Sequence, residues 1–296
     1  ARSIGDSGQG GQVLLSAQAW ARAQLNAQNL DVSPIHMGTY RLPNEETVQF
    51  VQVLPTALSS KREFSKQSFR KCEQVMPGYY DAPQASSEIF VGFVLISMRE
   101  ELMLYEDIAQ EVFSIFQTVL LGDLTKHNGY LCQEEEGTFM VVFSELESAV
   151  AFSTEFHASL LSCHWPESLA QTPSSDGLQA RIGLFSGVPV EKRPHNTSGR
   201  ADYFGPVLNR AARMAYAAHS GRTLIPHYLV ERFGSELQEK YVLQSVGQHA
   251  FKGIDTLFDV DDIALSQTQA PPILSTVTLE RFNALLLEGM KGGGPS

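Results

Sequence analysis

The order of hydrophobic patterns between Ile89 and Ala218 constrains the fold more than any other feature. Ile89 to Ser97 is a continuous apolar run of strand length, which reads as a buried strand. Glu106 to Leu121 follows a helical pattern. Tyr130 to Gln133 and Thr138 to Phe143 read as two strands joined by a tight connection. Leu146, Ala149, Ser153, Phe156, Leu160 and Cys163 recur at spacings of three and four, which gives an amphipathic helix with one mostly apolar stripe. Gln179 to Gly187 is again strand-like, and Pro206 to Ala218 is helical. A β-α-β-β-α-β order predicts an α+β protein with a ferredoxin-like core. At 43% hydrophobic residues the chain can bury a normal core.

The segment Gly199 to Arg213, GRADYFGPVLNRAAR, carries the most chemical information. It reads as a loop that ends on Gly205 and launches a helix, with Pro206 at the first helical position, where its missing N–H costs nothing. Asn209 and Arg213 are four apart and share one helix face. Asp202 lies just upstream, in the loop. A carboxylate, an amide and a guanidinium near one helix start suit a nucleotide: an acceptor for a base amine, a positioner for a sugar and a fixed cation for a phosphate.

The same segment resembles the D-x-x-G-x-x-x-N-x-A-x-R motif of the class III adenylate/guanylate cyclase catalytic domain. Three further stretches agree in order: Arg181 to Gly187 resembles the family's R-I-G-x-x-x-G strand, Gly129-Tyr130 with Phe139 to Phe143 its hairpin, and Lys252-Gly253-Ile254 its closing K-G-I. The match spans roughly residues 88 to 264. It implies the nucleotide cyclase fold, a ferredoxin-like core with additional C-terminal α/β elements. It also implies attack of a ribose 3′ hydroxyl on the α-phosphorus with pyrophosphate leaving, in a cleft shared by two domains. By the resemblance, Arg213 stabilises the pentavalent transition state, Asn209 orients the ribose and Asp202 accepts from an adenine amine. Gln133 stands where adenylate cyclases place a lysine. Arg210 has no family role and reads as a solvated charge.

The metal positions depart from the family pattern. Leu95 replaces the first metal-binding aspartate and Gly137 the second. Leucine cannot ligate Mg²⁺, which takes oxygen ligands. Glu134, Glu135 and Glu136 adjoin the second position and read as a solvated acidic turn rather than substitute ligands. The domain therefore resembles the metal-free member of a pair. Mg²⁺ or Mn²⁺ would be bound mainly by a partner domain, and ATP is favoured over GTP on the strength of Asp202.

An internal repeat suggests where that partner lies. Ala1-Arg2 and Gly11 to Ser16 parallel Ala212-Arg213 and Gly221 to Pro226, and Gly38 to Val53 parallels Gly247 to Asp262 without a gap. Residues 1–54 read as the C-terminal part of a first cyclase domain, 55–87 as a polar linker, 88–264 as a complete second domain and 265–296 as a flexible tail with a helical candidate near Leu279 to Met290. The chain reads as a fragment. The alternative is a catalytically inactive regulatory module that binds nucleotide or dimerises.

Charge and cysteine content narrow the remaining classes. The formal net charge of −11 disfavours nucleic acid as a partner, and with it an RNA-binding ferredoxin-like fold. No apolar run is long enough to span a bilayer. Three widely spaced cysteines, Cys72, Cys132 and Cys163, fit a reducing compartment without a disulfide framework, and the expectation is a cytoplasmic domain. No phosphate-binding G-x-x-x-x-G-K loop and no zinc-ligand spacing occur.

Overall fold

The computed structural model describes residues 2–25, 31–59, 69, 72–233, 239–250 and 257–265. The chain divides into two compact units, Ala1–Leu224 and Ile225–Ser296. Lys252-Gly253-Ile254, the 266–296 tail and its helical candidate lie outside the described residues.

The first unit opens with α1 (Arg2–Ser7), β1 (Leu14–Ser16), α2 (Ala17–Ala23), β2 (Val32–Arg41), β3 (Thr47–Pro55), α3 (Thr56–Ser59) and β4 (Glu73–Met76). Ser16 caps α2 by accepting from the Ala19 N–H at 3.2 Å. The strands form an antiparallel sheet in the order β1-β3-β2-β4. Part of the stretch that reads as a linker is thus sheet, because β4 pairs with the edge of β2. An aromatic cluster closes one side of it. Tyr40 stacks on Phe50 with centroids 5.1 Å apart, and Phe69 meets both rings edge-on at 4.8 and 5.1 Å.

The same unit continues with β5 (Ile89–Ile96), α4 (Arg99–Leu102), α5 (Glu106–Lys126), β6 (Tyr130–Glu135), β7 (Thr138–Phe143) and α6 (Leu146–Ser162). A 3-10 turn at Glu167–Gln171 leads to β8 (Ala180–Gly187), β9 (Glu191–Pro194), β10 (Ala201–Phe204), α7 (Pro206–Ala217) and β11 (Arg222–Pro226). Strands run in the order β11-β8-β5-β7-β6. The β8-β5-β7-β6 part is antiparallel throughout, which is the ferredoxin-like arrangement, and β11 adds parallel to β8.

Register assigns the two faces of this sheet, because directly paired residues point the same way. Val94, Ile182 and Phe139 share one face, and Phe139 packs on Phe116 of α5 with centroids 5.7 Å apart. Phe116 meets Phe156 of α6, which stacks on Phe152. Each such ring taken fully out of water stabilises the fold by about 1.5–3 kcal/mol. Gly183, Phe93, Met140 and Gln133 are paired in sequence across the sheet and share the opposite face, against which α7 lies.

The second unit holds α8 (His227–Val230), β12 (Tyr241–Ala250) and β13 (Leu257–Leu265), the last two forming an antiparallel hairpin. His227 Nδ1 donates to Asp261 Oδ2 at 2.6 Å, and this hydrogen bond raises the imidazole pKa above its ordinary value. The α-β-α-β-β order of α7, β11, α8, β12 and β13 repeats that of α1, β1, α2, β2 and β3. Strands β2 and β12 are both 10 residues long. Each shifts register at a glycine with positive φ, Gly38 at +107° and Gly247 at +86°. The connection after β12 is one residue longer, so the return strand pairs one position later although the sequences align without a gap.

Candidate active site

Helix α7 is placed by what β8 lacks. A Cβ on Gly183 would lie 2.6 Å from the Ala211 carbonyl oxygen and would also strike the Ala215 nitrogen, so only glycine lets the helix backbone rest on the strand. Gly205, at φ +135° and ψ 172°, turns the chain from β10 into α7, and Pro206 occupies the first turn as the sequence predicts. Val207, Ala211, Met214 and Ala215 face the sheet and are buried. Asn209 and Arg213 point the other way and are exposed. Among the described residues neither side chain has a hydrogen-bond or ion-pair partner. Arg210 is not simply solvated: its guanidinium lies over the Phe185 ring, 5.6 Å from the centroid, and anchors the helix to β8.

Asp202 lies in a strand, not in the loop that the sequence suggests. Residues 191–194 and 201–204 pair as a two-stranded ribbon too short to display an alternating pattern, and Ala201 and Tyr203 are buried. Asp202 is half-buried and accepts a hydrogen bond from Gln133 Nε2, which joins β10 to the α7 face of the sheet. Burial raises the Asp202 carboxyl pKa, while His195 and Arg193 oppose the rise. Arg193 is the register partner of Asp202, and its guanidinium covers the Phe204 ring at 4.1 Å. With one amide hydrogen held by Asp202, Gln133 keeps a second hydrogen and its carbonyl oxygen for a ligand. Asp202 and Gln133 are therefore brought together, and Asn209 and Arg213 form a second pair. No hydrogen bond joins the pairs among the described residues.

The positions that the resemblance gives to metal ligands do not fit a divalent cation. Leu95 is buried on β5 between its register partners Thr138 and Arg181. Glu136 and Gly137, at φ +48° and +73°, form the tight turn between β6 and β7. A Cβ on Gly137 would lie 2.6 Å from Arg99 Cδ and 2.8 Å from Arg99 Nε. A cationic side chain thus fills the space over the second position. Glu134 accepts from Gln117 Nε2 at 2.7 Å, and burial raises its pKa against the pull of Arg200. No cluster of three acidic, histidine or cysteine side chains able to hold a metal occurs among the described residues.

Sequence reasoning missed Arg193, His195 and Arg99. The first two surround Asp202 only through the β9–β10 pairing. The Lys192-Arg193 pair so near the motif was the one available signal. Arg99 reaches Gly137 across the sheet end, which no local spacing encodes.

No family model matches the chain. The adenylate cyclase of Schizosaccharomyces pombe is 25% identical over 201 residues, 56% of this chain and 12% of that protein. The adenylate cyclase of Lachancea kluyveri is 29% identical over 147 residues, 45% of this chain and 8% of that protein. The chain thus spans about an eighth or less of the length of these curated relatives. A Trypanosoma brucei adenylate cyclase structure, in its monomeric state, superposes with a TM-score of 0.58 at 18% identity, covering 66% of this chain and 96% of that one. The guanylate cyclase domain of RhGC from Catenaria anguillulae, solved with GTP, gives a TM-score of 0.51 at 14% identity, covering 60% and 96%. Among the described residues no helix is long and apolar enough to cross a membrane. Motif order, sheet topology and these similarities converge: the chain has the nucleotide cyclase fold and is similar in sequence to adenylate cyclases.

Proposed function

We propose that residues 88–264 form one wall of a shared cyclase cleft, which converts ATP, in preference to GTP, to a 3′,5′-cyclic nucleotide and pyrophosphate. The observation that carries this reading is the pairing of Asp202 with Gln133 beside a helix that presents Asn209 and Arg213 without internal partners. Asp202 has an oxygen left to accept from the base amine, and Gln133 can donate to a ring nitrogen. Asn209 holds the ribose so that its 3′ oxygen faces the α-phosphorus. Arg213, which can only donate and stays cationic, balances charge that grows on the phosphoryl oxygens as the new P–O bond forms and pyrophosphate departs. Mg²⁺ or Mn²⁺ would lower the pKa of the attacking hydroxyl and neutralise the phosphates. Leu95 and Gly137 leave that duty to a partner domain.

The preceding repeat in the same polypeptide is the partner favoured. Residues 1–54 repeat the element order and the glycine kink of the second domain's C-terminal part, which supports reading them as the end of a first cyclase domain. In the complete protein, Arg213→Ala should lower cyclic nucleotide formation by on the order of a hundredfold with little change in nucleotide affinity. Unchanged turnover in that variant removes Arg213 from the chemistry. The 296-residue chain alone should make no cyclic nucleotide in Mg²⁺ or Mn²⁺.

One observation favours a second reading, a regulatory pseudo-cyclase. Arg99 closes the space over Gly137, as in a domain no longer organised around metal. On that reading the complete protein binds ATP without forming product, and isothermal titration beside the activity assay separates the two.

A further inference from the structure

Between β2 and the second sheet lies a cavity of about 10 Å³, room for one water-sized particle. His36 and Thr39 from β2, Tyr130 from β6, Arg200 from the loop before β10 and Thr125 of α5, whose hydroxyl donates to the Leu121 carbonyl, supply its polar lining, and Met76 and Leu124 are among its apolar walls. The polar groups are incompletely used. Both ring nitrogens of His36 and the Thr39 hydroxyl are buried without a hydrogen-bond partner. The Tyr130 hydroxyl accepts from the Ala201 N–H at 3.1 Å and keeps its own hydrogen. Arg200 donates from Nη1 to the Leu131 carbonyl at 3.2 Å and makes no ion pair among the described residues. No carboxylate lines the cavity.

We propose that this cavity is a binding site for one monovalent anion the size of chloride, held by Arg200, His36 and Thr39. Each of these groups can turn an N–H or O–H to a common centre, and Arg200 can do nothing else. Arg200 is partly buried and makes no ion pair among the described residues, although its charge reaches Glu134, and buried donors left unsatisfied are costly. An acceptor-only ion would satisfy those donors and place a negative charge beside Arg200. Its protein ligands come from segments far apart in sequence, so the ion would act as a clamp between the first hairpin and the domain that carries the nucleotide motif. The backbone geometry around it is already joined: the His36 N–H donates to the Gly199 carbonyl at 2.8 Å, and the Tyr79 N–H donates to the His36 carbonyl at 2.7 Å.

The test is thermal unfolding of the full chain at constant ionic strength while gluconate is replaced by chloride. A saturable rise of a few degrees in the unfolding midpoint is expected, reproduced by bromide. Arg200→Met, which keeps the stem, should abolish the rise, and Arg210→Met should retain it. If Arg200→Met does not fold, anomalous diffraction from crystals grown in bromide decides the matter, with a peak expected among His36, Thr39 and Arg200. The absence of a halide-specific rise, a rise that persists in Arg200→Met, or a water in place of the bromide peak would each overturn the proposal.

Discussion

The two hairpins β2–β3 and β12–β13 share length, order and a glycine kink, yet they differ in how they meet solvent. Most of β2 from Ile35 to Tyr40 is buried, whereas β12 alternates between exposed and half-buried positions for most of its length. The difference comes from neighbours. Strand β2 gains β4 on its free edge and takes the Gly199 carbonyl at His36. Among the described residues β12 pairs with β13 alone. A repeated scaffold therefore does not carry its burial with it, and side chains at matching positions have diverged to suit. In the ungapped sequence Phe50 aligns with Asp259 and His36 with Ser245, although the shifted register sets the buried Val260 opposite Gly247 where Phe50 lies opposite Gly38.

The sharpest way to break this comparison is at its aromatic centre. Phe50→Ala should destabilise the first unit by about 3–5 kcal/mol through loss of its packing on Tyr40 and Phe69. Asp259→Ala, at the sequence-aligned but exposed position, should stay within about 0.5 kcal/mol. Urea denaturation followed by Trp20 fluorescence checks the first. Trp20 reports on this region because it is buried and donates from Nε1 to the Thr197 carbonyl at 2.8 Å. Equal effects at the two sites would mean that the aromatic packing of Phe50 does not set its cost.

A pH series probes the same contrast with a smaller effect. Burial, helped by Arg200, depresses the His36 pKa from 6.5 to about 3. The unfolded chain therefore binds a proton that the folded chain refuses. Stability contributed by neutral His36 is present above pH 6.5 and is lost as pH falls from there towards about 3, by on the order of a few kcal/mol. In chloride-free buffer His36→Phe should flatten that limb of the denaturation profile, while Ser245 has no proton to exchange there.

The smallest expected difference lies in the kinks themselves. A Cβ on Gly38 would sit 2.6 Å from the Met76 carbonyl oxygen, whereas nothing lies within 4 Å of one on Gly247. Both positions have positive φ, which costs an L-residue about 1–2 kcal/mol. Gly247→Ala should cost that strain alone, and Gly38→Ala about 1–2 kcal/mol more, read from the same urea curves.

The central fold was legible because its elements are long and their patterns uninterrupted. Strands β5 and β8 and helices α6 and α7 begin and end within a residue or so of where the apolar spacing places them. Helix α5 runs on to Lys126 rather than stopping at Leu121, because Leu124 still reaches the core past Gly122 and Asp123. Strands β4, β9 and β10 were illegible for a different reason. Each has four residues; β4 is defined by its pairing with the distant β2, and β9 and β10 only by each other. The candidate site divides the same way. Gly205, Pro206, Asn209 and Arg213 could be placed on one helix from local spacing. The bond from Gln133 to Asp202 depends on a tertiary meeting of β6 and β10 that no spacing reports.

The side chain of Arg99 lying over Gly137 carries a consequence for redesign. Placing aspartates at 95 and 137 would drive one carboxylate into the buried Leu95 position and press the other against a guanidinium already in place. The pair would neutralise each other before any divalent ion arrived. A ligand built at position 137 would therefore need Arg99 replaced in the same step.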